Sequence, residues 1–189
     1  MDRGGDRHAG RPAGTPDRRS AGRPVVIHLV CGSTGAGKTT YSTKLRQQLG
    51  ALHLSIDDWM VTLFAPDTPP QVSWPWIEER VLRCERQIVA TALALARTGV
   101  PSILDLGLQR VDQRRRVAER AAAAGNRVHL HFLDVEADER WRRVEQRNDQ
   151  QGDTFRVKVT RPMFDFIETI WQPPTPEEMS AFDGVRVAA

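Results

Sequence analysis

Apolar residues in this chain fall into short unbroken runs, separated by longer stretches in which they recur every three or four positions. Val25-Val26-Ile27-His28-Leu29-Val30 is an apolar, β-branched run that leads into glycine, the pattern of a strand buried on both faces. Residues 52–56, 100–106 and 128–133 repeat the pattern, and 185–187 predicts a last short strand. Between them lie helical periods. Residues 39–49 form one, closed by Gly50. After a proline-rich loop over 66–75, Pro75 opens a long helix with Glu78 and Glu79 in its first turn, where the helix dipole favours anions. Ile77, Val81, Cys84 and Ile88 give its apolar stripe, and Gly99 ends it. Residues 112–124 and 138–147 are further helices, and Met163, Phe166, Ile167 and Ile170 mark the inner face of another. Strands alternating with helices build βαβ units, hence an α/β fold on a parallel sheet whose ligands sit beyond the strand C-termini.

Composition narrows this picture. A chain of 189 residues, 40% apolar, builds one domain with its own core. No run approaches the roughly 18–20 apolar residues of a membrane-spanning helix, and the N-terminus has no signal-peptide core. The expectation is a soluble, cytoplasmic protein with no membrane partner. Cys31 and Cys84 make neither a disulfide framework nor a zinc site, and read as small apolar fillers. The net charge is +3, and residues 1–23 hold six arginines against three aspartates, which is also +3. The basicity therefore belongs to that segment. It is rich in Gly, Pro and Arg with little to bury, and is expected to be a disordered basic tail ahead of one domain over 24–189. A nucleic-acid arm or transit peptide fits its mixed charge less well.

Chemistry enters at residues 32–39. Gly32, Ser33, Thr34, Gly35, Ala36, Gly37, Lys38 and Thr39 fit G-x-x-x-x-G-K-[ST] in full, between a strand and a helix. The glycines let the backbone curl so that successive N–H groups point at phosphate oxygens. The helix that follows, with Thr40 in its first turn, adds free N–H groups and a positive dipole end. Lys38 is placed to bridge the β- and γ-phosphates, and Thr39 to offer its hydroxyl to Mg²⁺. The cofactors expected are ATP and magnesium.

Two carboxylates, Asp57 and Asp58, follow the second strand. Asp57 is the candidate base for an attacking hydroxyl and Asp58 the candidate helix cap, although both would also serve as caps. Asp105 ends the third strand, where an aspartate can hold Mg²⁺ or its water; a plain turn before Gly107 is the alternative. Arg143 and Arg147 stand four apart on one helix face. They are either a clamp on a transferring phosphoryl group or a solvated face paired with Glu139 and Glu145.

The segments GSTGAGKTTYSTKL at 32–45, SIDDWM at 55–60, ILDLGLQR at 103–110 and residues 139–171 together resemble the small AAA P-loop kinases related to zeta toxins, chloramphenicol phosphotransferase and the kinase domain of bacterial polynucleotide kinase. The resemblance spans about 25–178. It implies a P-loop NTPase fold with a five-stranded, mainly parallel sheet flanked by helices, and ATP-dependent phosphorylation of a hydroxyl. It also implies Asp57 as base, Arg143 with Arg147 as lid arginines, and residues 150–159 as a lid loop. The stretch 59–76 departs from the known members, so the resemblance leaves the acceptor open.

The first function expected is therefore a kinase of a small molecule: a metabolite, nucleoside, sugar or antibiotic. Trp59, Met60, Phe64, Trp74 and Trp76 are candidates for its acceptor pocket, or simply for the core. A polynucleotide 5′-hydroxyl kinase has the aromatics but lacks the basic channel, so nucleic acid ranks below a small acceptor as partner. An ATP-hydrolysing switch would leave Asp57 with little to do. Oligomeric state is not legible.

Overall fold

The computed structural model describes residues 25–152, 155 and 157–188. The expected tail over 1–23 lies outside them, as do Asp153, Thr154 and Arg156 of the expected lid loop.

Each apolar run becomes a strand: β1 (Val26–Cys31), β2 (Leu52–Ser55), β3 (Ser102–Asp105), β4 (Arg127–Asp134) and β5 (Val185–Ala188). They form one sheet in the order β2-β3-β1-β4-β5, and every neighbouring pair is parallel. Parallel neighbours require crossovers, which the helices supply. These are α1 (Lys38–Leu49), α2 (Ile56–Phe64), α3 (Trp74–Arg97), α4 (Val111–Ala123), α5 (Ala137–Gln150), α6 (Arg161–Ile170) and α7 (Pro176–Ala181). The expected five-stranded α/β architecture is the one observed.

Alternation along the strands divides the core. Ile27, Leu29 and Cys31 of β1 pack with Cys84, Ile88, Val89 and Ala92 of α3 and Val117 and Ala121 of α4. Val30, Ile103 and Leu133 point to the other face and meet Leu45 of α1 and Ala51. Both cysteines are free and buried, and burial pushes the Cys31 thiol up to about 12, as suits an inert filler. Among the described residues, no helix is long and apolar enough to cross a membrane.

Four local expectations need correction. Ser55, not Asp58, caps α2: its hydroxyl accepts from the Asp58 N–H, so the helix starts at Ile56 and both aspartates fall in its first turn. Ser73 likewise caps α3, which starts at Trp74, leaving Glu78 and Glu79 beyond its first turn. On α6 the inward residue is Phe164, which packs edge-on against Trp141, whereas Met163 and Phe166 are exposed. Finally, α7 has no counterpart in the sequence reading. It is six residues long, with Pro176 in its first turn and a capping box between Thr175 and Glu178. Its Glu178 accepts a two-pronged hydrogen bond from Arg114, the largest fully buried side chain.

A second polar feature sits on the sheet itself. His28 and His131, on neighbouring strands, share a hydrogen bond of 2.9 Å, and His131 shares another of 2.7 Å with Tyr41 on α1. Burial, then the nearby His129, pushes His28 down to about 4 and His131 to about 3, so both imidazoles are neutral.

Candidate active site

The loop that joins β1 to α1 curls tightly. The Ala36 N–H donates to the Ser33 carbonyl at 3.1 Å, and Gly35 and Gly37 take φ values of +82° and +90°, where side chains are strained. Gly35 also lies against α5: a Cβ there would come within 2.4 Å of the Arg140 carbonyl oxygen. Gly37 precedes α1, and neither a capping side chain nor an acidic residue claims the first-turn N–H groups of Lys38, Thr39 and Thr40. That end of α1 is thus an open anion site. The Lys38 ammonium donates to the Gly32 carbonyl at 2.9 Å and, more loosely, to that of Ser33 at 3.4 Å. Its charge is thereby held inside the loop.

Beside the loop, β3 delivers Asp105. Its Oδ2 accepts a 3.1 Å hydrogen bond from the Thr39 hydroxyl, so the two groups expected at the metal are in contact. Hydroxyl and carboxylate oxygen are hard ligands suited to Mg²⁺, which keeps one or two protein ligands and takes the rest from phosphates and water. Asp105 is buried, so its charge needs a partner. Among the described residues, no group of three or more His, Cys, Asp or Glu could hold a metal, which excludes there a cage of the zinc kind. The donors present therefore fit magnesium bound with a nucleotide. His53 stands 3.5 Å from the same Asp105 oxygen, and its Nε2 is buried without a hydrogen bond.

The parallel order sets β2 beside β3, which carries Asp57 to the same edge. Asp57 keeps an exposed surface. The protein around it still displaces enough water to push its carboxyl above the usual carboxylate range. Lys38 opposes that shift, Asp105 adds to it, Arg147 opposes it and Asp58 adds to it. Four of the residues expected at the site, Lys38, Asp57, Asp105 and Arg147, thus lie within one electrostatic neighbourhood.

The two arginines expected to act alike differ. Arg147 is half-buried and its Nε is buried without a hydrogen-bond partner. Arg143 is bonded through Nε to Glu139 at 2.7 Å, and Glu139 also takes two bonds from Arg142. The Arg143 Nη1 nonetheless lies 4.0 Å from where a Cβ on Gly37 would stand. Arg143 therefore combines the paired surface face with proximity to the loop. Past Arg147, the Asn148 side chain bonds both backbone groups of Val159, at 2.7 Å and 3.1 Å, and ties the two ends of the expected lid loop together.

The candidate acceptor residues separate as well. Trp59, Met60 and Phe64 pack, partly buried, against the main core. Trp76 stacks on the Arg80 guanidinium at 3.8 Å. Trp74 is exposed and meets Phe166 of α6 edge-on, with ring centroids 5.0 Å apart.

Sequence reasoning missed a second arginine cluster. Arg140, on α5, is buried and forks onto the Glu168 carboxylate of α6 at 2.6 and 2.7 Å. Glu168 Oε1 accepts a further bond of 2.6 Å from the Ser33 hydroxyl in the phosphate loop. Arg140 stood in the sequence among other arginines of one helix, and its partner lies 28 residues away, so no local pattern marked it.

Residues 27–161 match the family model of the AAA domain. None of the curated protein sequences matches the chain. Among solved structures, a sugar kinase from Janibacter is 17% identical with a TM-score of 0.61, covering 87% of this chain and 86% of its own. The APS kinase of Mycobacterium tuberculosis, in complex with AMPPNP and APS, is 17% identical with a TM-score of 0.59, covering 88% and 90%. A gluconokinase from Sinorhizobium meliloti is 14% identical with a TM-score of 0.56, covering 88% and 84%. At such identities the likeness establishes the fold.

Proposed function

We propose that this chain, which belongs to the AAA domain family, is an ATP-dependent kinase that transfers the γ-phosphate to a hydroxyl of a small molecule such as a metabolite, nucleoside, sugar or antibiotic. The observation that carries the reading is Asp57: an accessible carboxyl stands at the strand edge beside Lys38 and the Thr39–Asp105 pair, where a base for an acceptor hydroxyl is needed. The names of three of the similar solved structures, a sugar kinase, an APS kinase and a gluconokinase, support the same reading.

In this reading the loop amides and the first turn of α1 cradle the phosphates. Lys38 exchanges its carbonyl partners for β- and γ-phosphate oxygens. Thr39 and Asp105 would hold magnesium, which would neutralise phosphate charge when bound. Asp57 accepts the proton of the acceptor hydroxyl as its oxygen attacks phosphorus, and ADP leaves. Arg147, with Arg143 beside the loop, stabilises charge that builds on the transferring group.

The test is transfer of labelled γ-phosphate from ATP across a panel of hydroxyl-bearing metabolites, sugars, nucleosides and antibiotics, with Lys38→Ala as control. Acceptor-dependent transfer by the parent, lost in the control, supports the reading. Acceptor-independent hydrolysis that survives Asp57→Asn would favour the switch instead.

A further inference from the structure

A carboxylate beside a phosphate site is electrostatically the wrong sign. Glu168 nevertheless reaches into the phosphate loop and bonds the Ser33 hydroxyl at 2.6 Å. What makes this tolerable is on the other side of the carboxylate. Arg140 donates through both terminal nitrogens, Nη1 to Oε1 at 2.7 Å and Nη2 to Oε2 at 2.6 Å. The same guanidinium donates to the Thr34 carbonyl at 3.3 Å and, through Nε, to the Val135 carbonyl at 2.8 Å. Its far face lies over the Phe164 ring, 5.3 Å from the centroid, so its position is fixed by packing as well as by bonds. The hydrogen bonds from Arg140, foremost, hold the Glu168 carboxyl below its usual range, with a further contribution from Ser33, so the carboxylate is ionised.

We propose that Arg140 and Glu168 are a paired positioning device for the phosphate loop: Glu168 fixes Ser33, and Arg140 both fixes Thr34 and cancels the Glu168 charge that would otherwise repel the triphosphate. The inference rests on the reading of that loop as an ATP site. It assigns Arg140 a role opposite to that of Arg147, which acts on the nucleotide directly; Arg140 acts through Glu168 and the loop backbone.

The pair has a signature that a merely structural ion pair lacks. Removing Arg140 alone leaves a bare carboxylate within one loop's width of the phosphates. Removing both charges does not. Binding of the non-hydrolysable analogue AMPPNP with magnesium, measured by calorimetry on the full chain, separates the cases. Arg140→Gln is expected to weaken binding at least tenfold, on the order expected for one unscreened unit charge at a partly buried site. The double variant Arg140→Gln with Glu168→Gln is expected to recover most of that loss, although it has lost more of the native ion pair. Glu168→Gln alone keeps the shape and a bond to Ser33, and is expected to bind at least as tightly as the parent.

Arg140→Gln binding like the parent, or a double variant as weak as Arg140→Gln, would overturn the proposal. Should Arg140→Gln fail to fold, as judged by its melting curve, Glu168→Gln decides: a tenfold loss of affinity there overturns the proposal, and parent-like or tighter binding supports it. A parent chain that binds no AMPPNP would instead sink the ATP reading itself, together with this inference.

Discussion

Arg147 on α5 and Asp57 in the first turn of α2 act on each other's ionisation. Displaced water is the main influence on each, pushing the Asp57 carboxyl up and the Arg147 guanidinium down, and each charge opposes the shift of the other.

This relationship makes Asp57 separable from nucleotide binding. Asp57→Asn is expected to lower transfer by about 10²–10⁴ while leaving ATP affinity near the parent value. The base must be ionised to work, so the acid limb of the kcat/KM profile lies above the usual carboxylate range. Arg147→Ala removes a charge that favours the carboxylate, so it moves that limb to still higher pH. An acid whose folded pKa is raised binds its proton more tightly when folded, so ionising it opposes folding at neutral pH. The melting temperature of Asp57→Asn at pH 7 should accordingly equal or exceed that of the parent. Transfer, ATP-binding and melting measurements on Asp57→Asn, with pH–rate profiles of the parent and Arg147→Ala, check these points.

Arg143 and Arg147 should not respond equally. Arg147→Ala is expected to lower kcat by roughly 10²–10³, with little change in nucleotide affinity, because a preorganised charge acts mainly in the transition state. Lysine should rescue it poorly, since a point charge does not reproduce a planar fork. Arg143 is partly neutralised by Glu139, so Arg143→Ala should cost less. Steady-state kinetics on both variants decide the order, and equal losses would contradict it.

Gly35 is where the loop can least accept a side chain. Gly35→Ala places a Cβ 2.4 Å from the Arg140 carbonyl at a φ of +82°. Left-handed strain and overlap with backbone together should cost about 2–4 kcal/mol. Gly50, also at positive φ, has nothing within 4 Å, so Gly50→Ala should cost only the backbone strain, about 1 kcal/mol. Denaturant unfolding of the two variants gives the difference directly.

The neutral histidines on the sheet predict acid sensitivity. The unfolded chain binds protons on these groups near the ordinary 6.5, whereas folded His28 and His131 resist protonation down to about 4 and about 3. Stability is therefore full above pH 6.5 and falls as pH drops through that window. His131→Gln should flatten the dependence of unfolding free energy on pH between the ordinary 6.5 and about 3. An unchanged slope would remove His131 from the cause.

The features legible in the sequence were those written in consecutive residues. The phosphate loop, the five strand runs and the glycine that stops α1 are local, so their physics could be read without partners. The helix starts were offset where Ser55 and Ser73 cap before the residues expected to, because a side-chain bond to the third residue on outranks the appearance of the first acidic or proline residue. The inner face of α6 was misassigned because Met163, Phe164, Phe166, Ile167 and Ile170 are all apolar, and only contact with Trp141 selects Phe164 among them. Arg140 with Glu168 and Arg114 with Glu178 were invisible for a different reason: two charged residues far apart in sequence read as solvated until the fold buries them together.

The strand order has a practical consequence. Strands β2 and β3 are neighbours, and everything between them, from Ile56 to Arg97, leaves and returns as one excursion that carries Asp57, the proposed base, the aromatic side chains of α2 and α3 and the exposed Trp74. The phosphate loop, Asp105, Arg143 and Arg147 lie outside that excursion. If the proposed function holds, a chimera that exchanges this single segment for one from a kinase of the same architecture would change the acceptor while leaving the proposed ATP site in place, with only two junctions to join.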